Sequence, residues 1–455
     1  MATQDNQTDI FSQQVQVSRL KDMAVFVNFS GDRLSSDGGL ALLRETEAQV
    51  GVVDALAKAM KDGRHPGYCK HSLRELLLQR IGQIACGYED ANDSNELRKD
   101  PMIKLFAGRL PDSDPDLASQ PTQTRLENSV SRTTLYRMAA ALVDVFLHSY
   151  DAPPEIIVLD FDETADIVHG GQQLRLFNAH VGDYCFMPLH VYEGLSGKLI
   201  TTVLRPGKRM SGKETRMIYR RIVAKLRQVW PDTIIVLRGD SHFTSPEILN
   251  WCDAQANVQV VLGLSTNKKL KKRVQSAVQY AKHQFEKTGS TVRSYHEFRY
   301  RAATWHRAYR VVARIEYSDK GENVCFVVTD FEQATTASIY EDIYCARGTA
   351  ESYIKDHKRY LKSDRTSCHR AEANQFRLFL ASAAYVLLHA LRQHVLRNTP
   401  WRNATFDTIR LRVLKIGTRV REMKSRIKIE LPCSYPNKAA LTNSFKLFAL
   451  LSWQT

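Results

Sequence analysis

Residues 156–164 read Ile-Ile-Val-Leu-Asp-Phe-Asp-Glu-Thr, an apolar run that ends in two aspartates, Asp160 and Asp162. A short apolar run of this kind is typical of a strand buried on both faces of a sheet. Residues 233–237 form a second such run, which leads to Asp240. The sequence therefore predicts an α/β fold in which buried strands carry aspartates at their carboxyl ends.

The segments around these two runs complete the predicted α/β domain. Ser211-Gly-Lys-Glu214 has the pattern of a capping box and predicts a helix that extends to about Trp230. Ser245-Pro-Glu predicts the start of another helix. Further strands are predicted at 174–180, 185–192, 199–204 and 258–264. The first three of these are expected to form an antiparallel meander, because turns containing glycine separate them.

Changes in sequence texture divide the chain into five predicted regions. The first 150 residues are mostly helical in pattern, and residues 119–125 with the helix that follows fit either a helix-turn-helix or a plain helical bundle. Ala152-Pro-Pro154 marks the first boundary. The predicted regions are 1–150, a mostly helical DNA-binding region; 151–264, the first part of the α/β core; 265–332, a β-rich insertion; 333–400, the second part of the core; and 401–455, a basic C-terminal segment.

The charge balance favours a polyanionic partner. The 455-residue chain has 64 Lys and Arg against 49 Asp and Glu, which gives a formal net charge of +15. Clustered cations bind nucleic acid by releasing counterions from phosphates. An anionic membrane is the competing partner, but the chain has no run of about 18 apolar residues. We therefore predict a nucleic-acid partner and no membrane.

The first residues and the cysteines indicate the cellular compartment. Residues 1–20 lack the basic-then-apolar order of a signal peptide. The chain has eight cysteines and none of them has C-x-x-C spacing, which argues against a zinc knuckle or a disulfide framework. Scattered cysteines of this kind predict buried, reduced thiols in a cytoplasmic protein.

Residues 344–358 place four functional side chains at helical spacing, namely Tyr344, Arg347, Glu351 and Lys358. At about 100° per residue, the four fall within roughly 60° of one helical face. One carboxylate would then lie among two cations and a phenol, and a site with these groups is suited to act on a phosphodiester. The structural alternative is an ordinary surface helix, and Gly348 could delay the helix start.

Glu351 adds a third acid, on a separate element, to Asp162 and Asp240. Transfer at a phosphodiester uses one metal ion to activate the attacking oxygen and a second to stabilise the leaving oxygen. Carboxylates from separate elements suit Mg²⁺, with Mn²⁺ as the other choice, because both are hard cations. We expect these three acids to hold two ions per active site.

These patterns resemble the signatures of bacterial insertion-sequence transposases of the D-D-E type. Phe161-Asp-Glu-Thr164 matches the setting of the first acid, and Leu237-Arg-Gly-Asp240 matches that of the second. Residues 344–358 match the tyrosine-arginine-glutamate-lysine signature in full. Further stretches are similar to insertion-sequence family thirteen-eighty, at residues 29–39, 118–125, 204–208, 363–369 and 374–377.

The resemblance implies an RNase H-like catalytic core that cuts and joins DNA strands with divalent metal. It assigns metal binding and catalysis to Asp162, Asp240 and Glu351, and it favours Asp162 over Asp160 because the family's frame fits Asp162. It also implies two partners, which are double-stranded DNA and a second copy of the chain. The DNA comprises the terminal inverted repeats and the target, held in a homodimeric synaptic complex in the bacterial cytoplasm at the nucleoid.

The same resemblance assigns contacts with DNA to four further residues. Tyr344, Arg347 and Lys358 are expected to contact phosphates near the cut transposon end. Trp305 is the only tryptophan in the predicted insertion, and it would either stack on a displaced base or pack in the core.

Two other functions fit part of the sequence. Residues 158–164 also match the hydrophobic-D-x-D-x-T motif of haloacid-dehalogenase-like phosphatases, in which Asp160 would be the nucleophile and Asp162 the general acid. A non-catalytic DNA-binding protein would account for the charge, but it leaves three separately placed acids unexplained.

Overall fold

The computed structural model describes residues 15–29 and 31–451. Its strands are β1 (Val15–Leu20), β2 (Met23–Val27), β3 (Leu34–Ser35), β4 (Ile156–Glu163), β5 (Asp166–Ile167), β6 (Leu176–Asn178), β7 (Asp183–Phe186), β8 (Leu189–Glu193), β9 (Leu199–Val203), β10 (Ile234–Gly239), β11 (Val258–Leu264), β12 (Val292–Tyr300), β13 (Tyr309–Ser318), β14 (Gly321–Thr329), β15 (Thr418–Met423) and β16 (Arg426–Glu430).

The α-helices lie before, between and after these strands. They are α1 (Leu40–Val50), α2 (Val52–Met60), α3 (Leu73–Cys86), α4 (Ser94–Leu97), α5 (Pro101–Phe106), α6 (Gln120–Ser129), α7 (Arg132–His148), α8 (Gly212–Val229), α9 (Pro246–Cys252), α10 (Lys268–Thr288), α11 (Gly348–Lys355), α12 (Ala371–Ala390), α13 (Phe406–Ile409) and α14 (Lys438–Leu451). The predicted α/β class is confirmed.

An eight-stranded mixed sheet organises the molecule, in the order β12-β13-β14-β11-β10-β4-β8-β9. Strands β4, β10 and β11 are parallel neighbours, and β8 runs antiparallel to both β4 and β9. Strands β4, β9, β10 and β11 therefore all end at one edge of the sheet, which we call the carboxyl edge. The two predicted aspartate-bearing strands meet there.

Helices cover the sheet on both faces because its central strands are apolar on both sides. On one face, α8, α9 and α10 pack over Leu159, Phe161 and Leu237. On the other, residues 338–344 pack over Val158 and Val236. Both the helix start at Ser211 and its capping box are confirmed: the Ser211 side chain accepts from the Glu214 amide, and the Glu214 carboxylate accepts from the Ser211 amide.

The meander prediction was partly wrong. Residues 185–192 do not form one strand, because Pro188 has no N–H to continue a ladder, and the chain passes from β7 into β8 at this point. Strands β5, β7 and β6 form a small separate sheet, whereas β8 and β9 belong to the large one.

The predicted β-rich insertion contains three strands and one helix that was not expected. Strands β12, β13 and β14 extend the central sheet, because β14 pairs with β11 over Val261–Leu264. The basic segment at 267–273 begins the 21-residue helix α10, whose N-cap Asn267 accepts from the Leu270 amide. Helix α10 packs on the sheet through Leu270, Val274 and Ala281, a sparse apolar stripe within a polar sequence.

The N-terminal helices form a bundle around α12. Helices α1 and α2 are separated by Gly51, which adopts a left-handed conformation at φ 67°. The helix-turn-helix candidate corresponds to α6 and α7, which are separated by Val130 and Ser131. Leu142, Phe146 and most of the later part of α7 are buried in the core, whereas Arg132 and Tyr136 in its first turns are exposed.

The basic C-terminal segment pairs with the N-terminal part of the chain. Strands β15 and β16 form a hairpin that pairs with β3, so the basic segment returns to the N-terminal region.

Every helix within the described ranges is too short or too polar to cross a membrane. All eight cysteines are free; Cys345 and Cys433 are exposed, so the prediction of uniformly buried thiols was wrong for these two.

Candidate active site at the carboxyl edge of the sheet

Asp160, the inner acid of β4, is part of a buried ion pair. Arg238 from β10 donates to both of its oxygens, with Nε–Oδ1 and Nη2–Oδ2 distances of 2.5 Å and 2.6 Å. The side chains of the pair are only 1–2% exposed. Both carboxylate oxygens are therefore occupied, which argues against Asp160 as a phosphatase nucleophile. Arg238 was not recognised from the sequence, although its place beside Asp160 follows from the parallel pairing of β4 and β10.

Asp162 lies two residues further along the same face of β4 and is less tightly held. Its Oδ2 atom is 3.4 Å from Nη1 of Arg347. Burial raises the pKa of Asp162 to about 6, and the negative charges of Asp240 and Glu351 add to that rise, while Arg347 opposes it. Asp240 and Glu351 therefore both act electrostatically on Asp162, and all three acids act on the guanidinium of Arg347.

Asp240 follows β10 in a tight turn at the same edge. Its Oδ1 accepts from the backbone N–H of His242 at 2.8 Å, and the His242 ring lies 3.6 Å from Oδ2. A side chain at Gly263 on β11 would meet the Tyr344 hydroxyl at 2.6 Å and the Ser241 amide nitrogen at 2.8 Å. Gly263 thus permits the close approach that places Tyr344 beside the turn holding Asp240.

The segment carrying the four-residue signature is helical but irregular. A wide π turn at Ser338–Tyr344 passes through a tight 3-10 turn at Cys345–Arg347 into α11, which is followed by a second π turn at Asp356–Tyr360. The single regular face predicted for these residues was therefore wrong, because the rotation per residue changes along the segment. Such departures from the α-helix are frequent at functional sites. The side chain of Glu351, in the first turn of α11, is exposed.

Lys358 is anchored to the chain just beyond Asp162. Its Nζ donates to Thr164 Oγ1 at 3.2 Å and to the carbonyl of Ala165, and it lies 3.5 Å from Asp166 Oδ1. Two of the three donors of the ammonium group are used in these hydrogen bonds, and the contact with Asp166 is an ion pair. Lys358 therefore ties the end of the helical segment to the chain just after β4.

A second buried ion pair lies behind Asp162, on the opposite face of β4. Glu163 pairs with Arg205, which also lies 3.5 Å from Glu214 at the start of α8. Burial raises the pKa of Glu163 to about 7, with Arg205 opposing the rise. Arg205 was not recognised as a functional candidate, although it stands in the 204–208 stretch noted for its family resemblance.

Trp305 packs in the core. It is 5% exposed, and its ring meets those of Tyr300 and Tyr309 edge-on, each at 5.5 Å between centroids. A ring covered in this way has no free face on which a base could stack. The packing favours the core role over the base-stacking role.

The donor set suits a divalent metal, although its present arrangement does not coordinate one. Within residues 15–29 and 31–451, no group of three or more His, Cys, Asp or Glu side chains is arranged to hold a metal ion. Asp162, Asp240 and Glu351 nevertheless each act to raise the pKa of Arg347, against the effect of burial. Carboxylate oxygens are the preferred ligands of Mg²⁺ and Mn²⁺. Coordination therefore requires Arg347 to leave Asp162 and the acids to turn toward a shared ion.

The fold and the acids at its carboxyl edge are those of an α/β enzyme with a carboxylate site. The model of the family described as Transposase DDE domain group 1 matches residues 17–453. The chain belongs to this family of DDE-type DNA transposases. The prediction of a D-D-E transposase is confirmed at that level.

A solved structure similar to this chain is the cryo-EM structure of the piggyBac transposase synaptic complex with hairpin DNA. The two chains are 10% identical with a TM-score of 0.43, and the match covers 84% of this chain and 81% of that one. No curated protein matches this chain.

Proposed function

We propose that this protein binds the terminal inverted repeats of a mobile element, cuts the DNA strand at each end and joins the freed end to target DNA. The observation that carries the proposal is the contact of Arg347 with Asp162, with Asp240 and Glu351 acting on the same guanidinium, in a chain of the DDE transposase family. Two of these acids come from the ends of parallel strands and the third from a helix. A site built in this way holds Asp162 and Asp240 at the sheet and adds Glu351 from an exposed position on α11.

Asp162, Asp240 and Glu351 would hold two Mg²⁺ or Mn²⁺ ions. These ions would activate the attacking oxygen and stabilise the leaving oxygen when bound. Arg347 acts in two states: it neutralises Asp162 in the metal-free protein and moves to a phosphate of the transposon end when metal and DNA bind. Tyr344 contacts the same end from beside the Asp240 turn.

Lys358 has a positioning role in this proposal. Because it donates to Thr164 and Ala165 and pairs with Asp166, it fixes the helical segment of Glu351 against the strand of Asp162. Loss of Lys358 would let the third acid drift away from the other two.

The finer classification is also proposed. The order β9-β8-β4-β10-β11, with three antiparallel strands followed by two parallel ones, supports an RNase H-like core. The stretches noted above support a place near insertion-sequence family thirteen-eighty in bacteria. The protein would work as a homodimer on paired ends, at the nucleoid in the cytoplasm.

The experiment compares strand cleavage and end binding in matched variants. Purified wild-type protein is incubated with labelled terminal-repeat duplex, with and without Mg²⁺, and nicked products are resolved by electrophoresis. Asp240→Asn and Glu351→Gln are expected to abolish cleavage while retaining end binding. Asp342→Asn serves as the control, because Asp342 is an exposed acid on the same irregular helical segment.

Three outcomes would count against the assignment. Unimpaired cleavage by Asp240→Asn or Glu351→Gln would remove that acid from the site. Equal loss in the Asp342→Asn control would show that any charge change on the protein has the same effect. Cleavage by the wild type in the presence of EDTA would exclude a metal-dependent mechanism.

A further inference from the structure

A stripe of unpaired cations begins beside the candidate active site, on the face of the sheet opposite Glu351. Its five exposed members are Lys208, Arg209, Lys213, Arg216 and Arg220. None of them takes part in an ion pair or a side-chain hydrogen bond with another described residue. We call these five residues the α8 stripe. Its cations are free to bind an anionic partner.

The position of the stripe relative to Asp162 follows from the strand. Successive side chains of β4 point to opposite faces, so Asp162 faces Arg347 while Phe161 and Glu163 face α8. The Phe161 ring packs on Tyr219 of α8 with 3.8 Å between centroids. Arg205 bridges Glu163 and Glu214, which ties the first turn of α8 to the residue next to Asp162. The stripe therefore starts at the carboxyl edge and runs away from it along α8.

The spacing of the stripe matches a phosphate backbone. Lys213, Arg216 and Arg220 lie within about 60° of one another around the helix, on an exposed flank beside its buried face. They span about 10 Å along the axis at 1.5 Å per residue, which corresponds to about three phosphates of one DNA strand. Long cationic side chains bind such phosphates without reading the bases.

We propose that the α8 stripe binds the phosphate backbone of target DNA. This inference rests on the proposed function, in which two different DNA segments must reach Asp162. The groups proposed to contact the transposon end, Tyr344 and Arg347, lie on the other face of the sheet. The second DNA segment, the target, is therefore expected on the α8 face. A contact with phosphates alone suits a target of variable sequence, because it does not depend on the bases.

The test separates end cleavage from strand joining. The variant Lys213→Gln/Arg216→Gln/Arg220→Gln removes three charges and keeps good helix-forming residues. The control Lys268→Gln/Lys269→Gln/Lys272→Gln removes the same charge from exposed, unpaired lysines of α10. Helix α10 covers the same face of the sheet but begins after β11, two strands away from β4.

Three measurements are made on each full-length protein. The first is cleavage of a terminal-repeat duplex, and the second is joining of a pre-cut end to a supercoiled plasmid that lacks the repeats. The third is the salt dependence of binding to a duplex of random sequence. For the α8 variant we expect joining to fall at least about tenfold. The slope of log K against log salt should shrink by about 2.7, because each phosphate that is no longer neutralised removes about 0.9. End cleavage and the thermal unfolding midpoint should match the wild type.

The possible results are decisive in both directions. Joining lost in the α8 variant alone supports the proposal. The proposal is overturned if joining is unchanged in the α8 variant, or if the α10 control loses joining to the same extent. A parallel loss of end cleavage in the α8 variant would assign the stripe to the transposon end instead. If the wild type neither cuts nor joins DNA, the proposed function fails. The salt dependence of binding to the random duplex still tests the α8 stripe in that case, because equal slopes in the two variants would show that the stripe is not a DNA-binding site.

Discussion

Two Asp–Arg pairs lie two residues apart on the same face of β4, and they differ in almost every physical respect. Asp160 and Arg238 are nearly inaccessible and share two short hydrogen bonds. Asp162 and Arg347 share one contact of 3.4 Å, with side chains 16% and 21% exposed. The inner pair lies within the sheet and the outer pair at its carboxyl edge.

The difference shows how one strand can combine a structural acid with a reactive one. A buried charge is tolerated only when a partner satisfies it fully, so the inner pair cannot be released without a large penalty. The outer pair has a single long contact and other acids nearby, so its arginine can be exchanged for another cation. Substitutions at the two pairs and at a nearby buried acid test whether the pairs are as different as their geometry indicates.

The largest expected effect concerns activity at the outer pair. Asp162→Asn should lower the rate of end cleavage at least 10⁴-fold, about 5.5 kcal/mol of barrier, because a metal-binding carboxylate is lost. Its unfolding free energy should not fall, because burial already disfavours the charged form of Asp162. Cleavage rates and urea titrations of the same preparation check both parts. Substantial residual cleavage would mean that Asp162 is not a metal ligand.

The second prediction concerns stability at the inner pair. Arg238→Met should reduce the free energy of unfolding by about 3–5 kcal/mol, because Asp160 is left buried and unpaired. The double variant Asp160→Asn/Arg238→Met should recover part of that loss. Urea denaturation followed by circular dichroism provides the measurement. A loss below about 1 kcal/mol in the single variant would place this pair with ordinary surface pairs.

The third prediction uses pH at a buried acid a few residues beyond both pairs. Burial raises the pKa of Asp166 to about 7, with Lys358 opposing the rise. Between about pH 4 and 7, Asp166 therefore keeps its proton in the folded protein, whereas in the unfolded chain, where its pKa is near 3.8, it has lost that proton. Stability should fall on the order of 2 kcal/mol as pH increases from about 4 to 7 and then level off.

Asp166→Asn supplies the control for that pH dependence. The variant should make the fall between pH 4 and 7 shallower, because it removes the contribution of Asp166 and leaves those of Asp162 and Glu163. Chemical denaturation at several pH values gives both profiles. Identical profiles for variant and wild type would assign the pH dependence to other groups.

The smallest expected effect is on stability at the outer pair. Arg347→Gln should change the free energy of unfolding by less than about 1 kcal/mol, because the contact is single, long and partly exposed. It should weaken binding to the transposon end, and Arg347→Lys should restore charge without the two-pronged phosphate contact. Calorimetric unfolding and end-binding titrations distinguish these effects. A stability loss as large as that of Arg238→Met would erase the contrast between the pairs.

Much of the fold could be predicted from local patterns. Strand β11 and helix α8 were predicted closely, because an uninterrupted apolar run and a capping box are local signals. Helix α10 was missed because its apolar stripe is sparse and its N-terminal residues are highly charged. The change of sheet at Pro188 was missed although proline carried the signal.

The partners of the acids could not be predicted in the same way. Arg238 and Arg205 meet Asp160 and Glu163 from positions 78 and 42 residues away in the chain. Contacts across such separations depend on strand order, which a single sequence does not specify. Burial of Trp305 among tyrosines is likewise a property of the packed sheet.

The sequence by itself determined the α/β class, the acids at the ends of two strands and the family signature around Glu351, because each depends on residues close together in the chain. Only the tertiary structure decided that Asp160 is paired with Arg238, that Arg347 contacts Asp162, and that Lys358 contacts the residues just after β4. The physical reason is that a charge takes its role from its partners and its burial, and both arise only when distant segments pack.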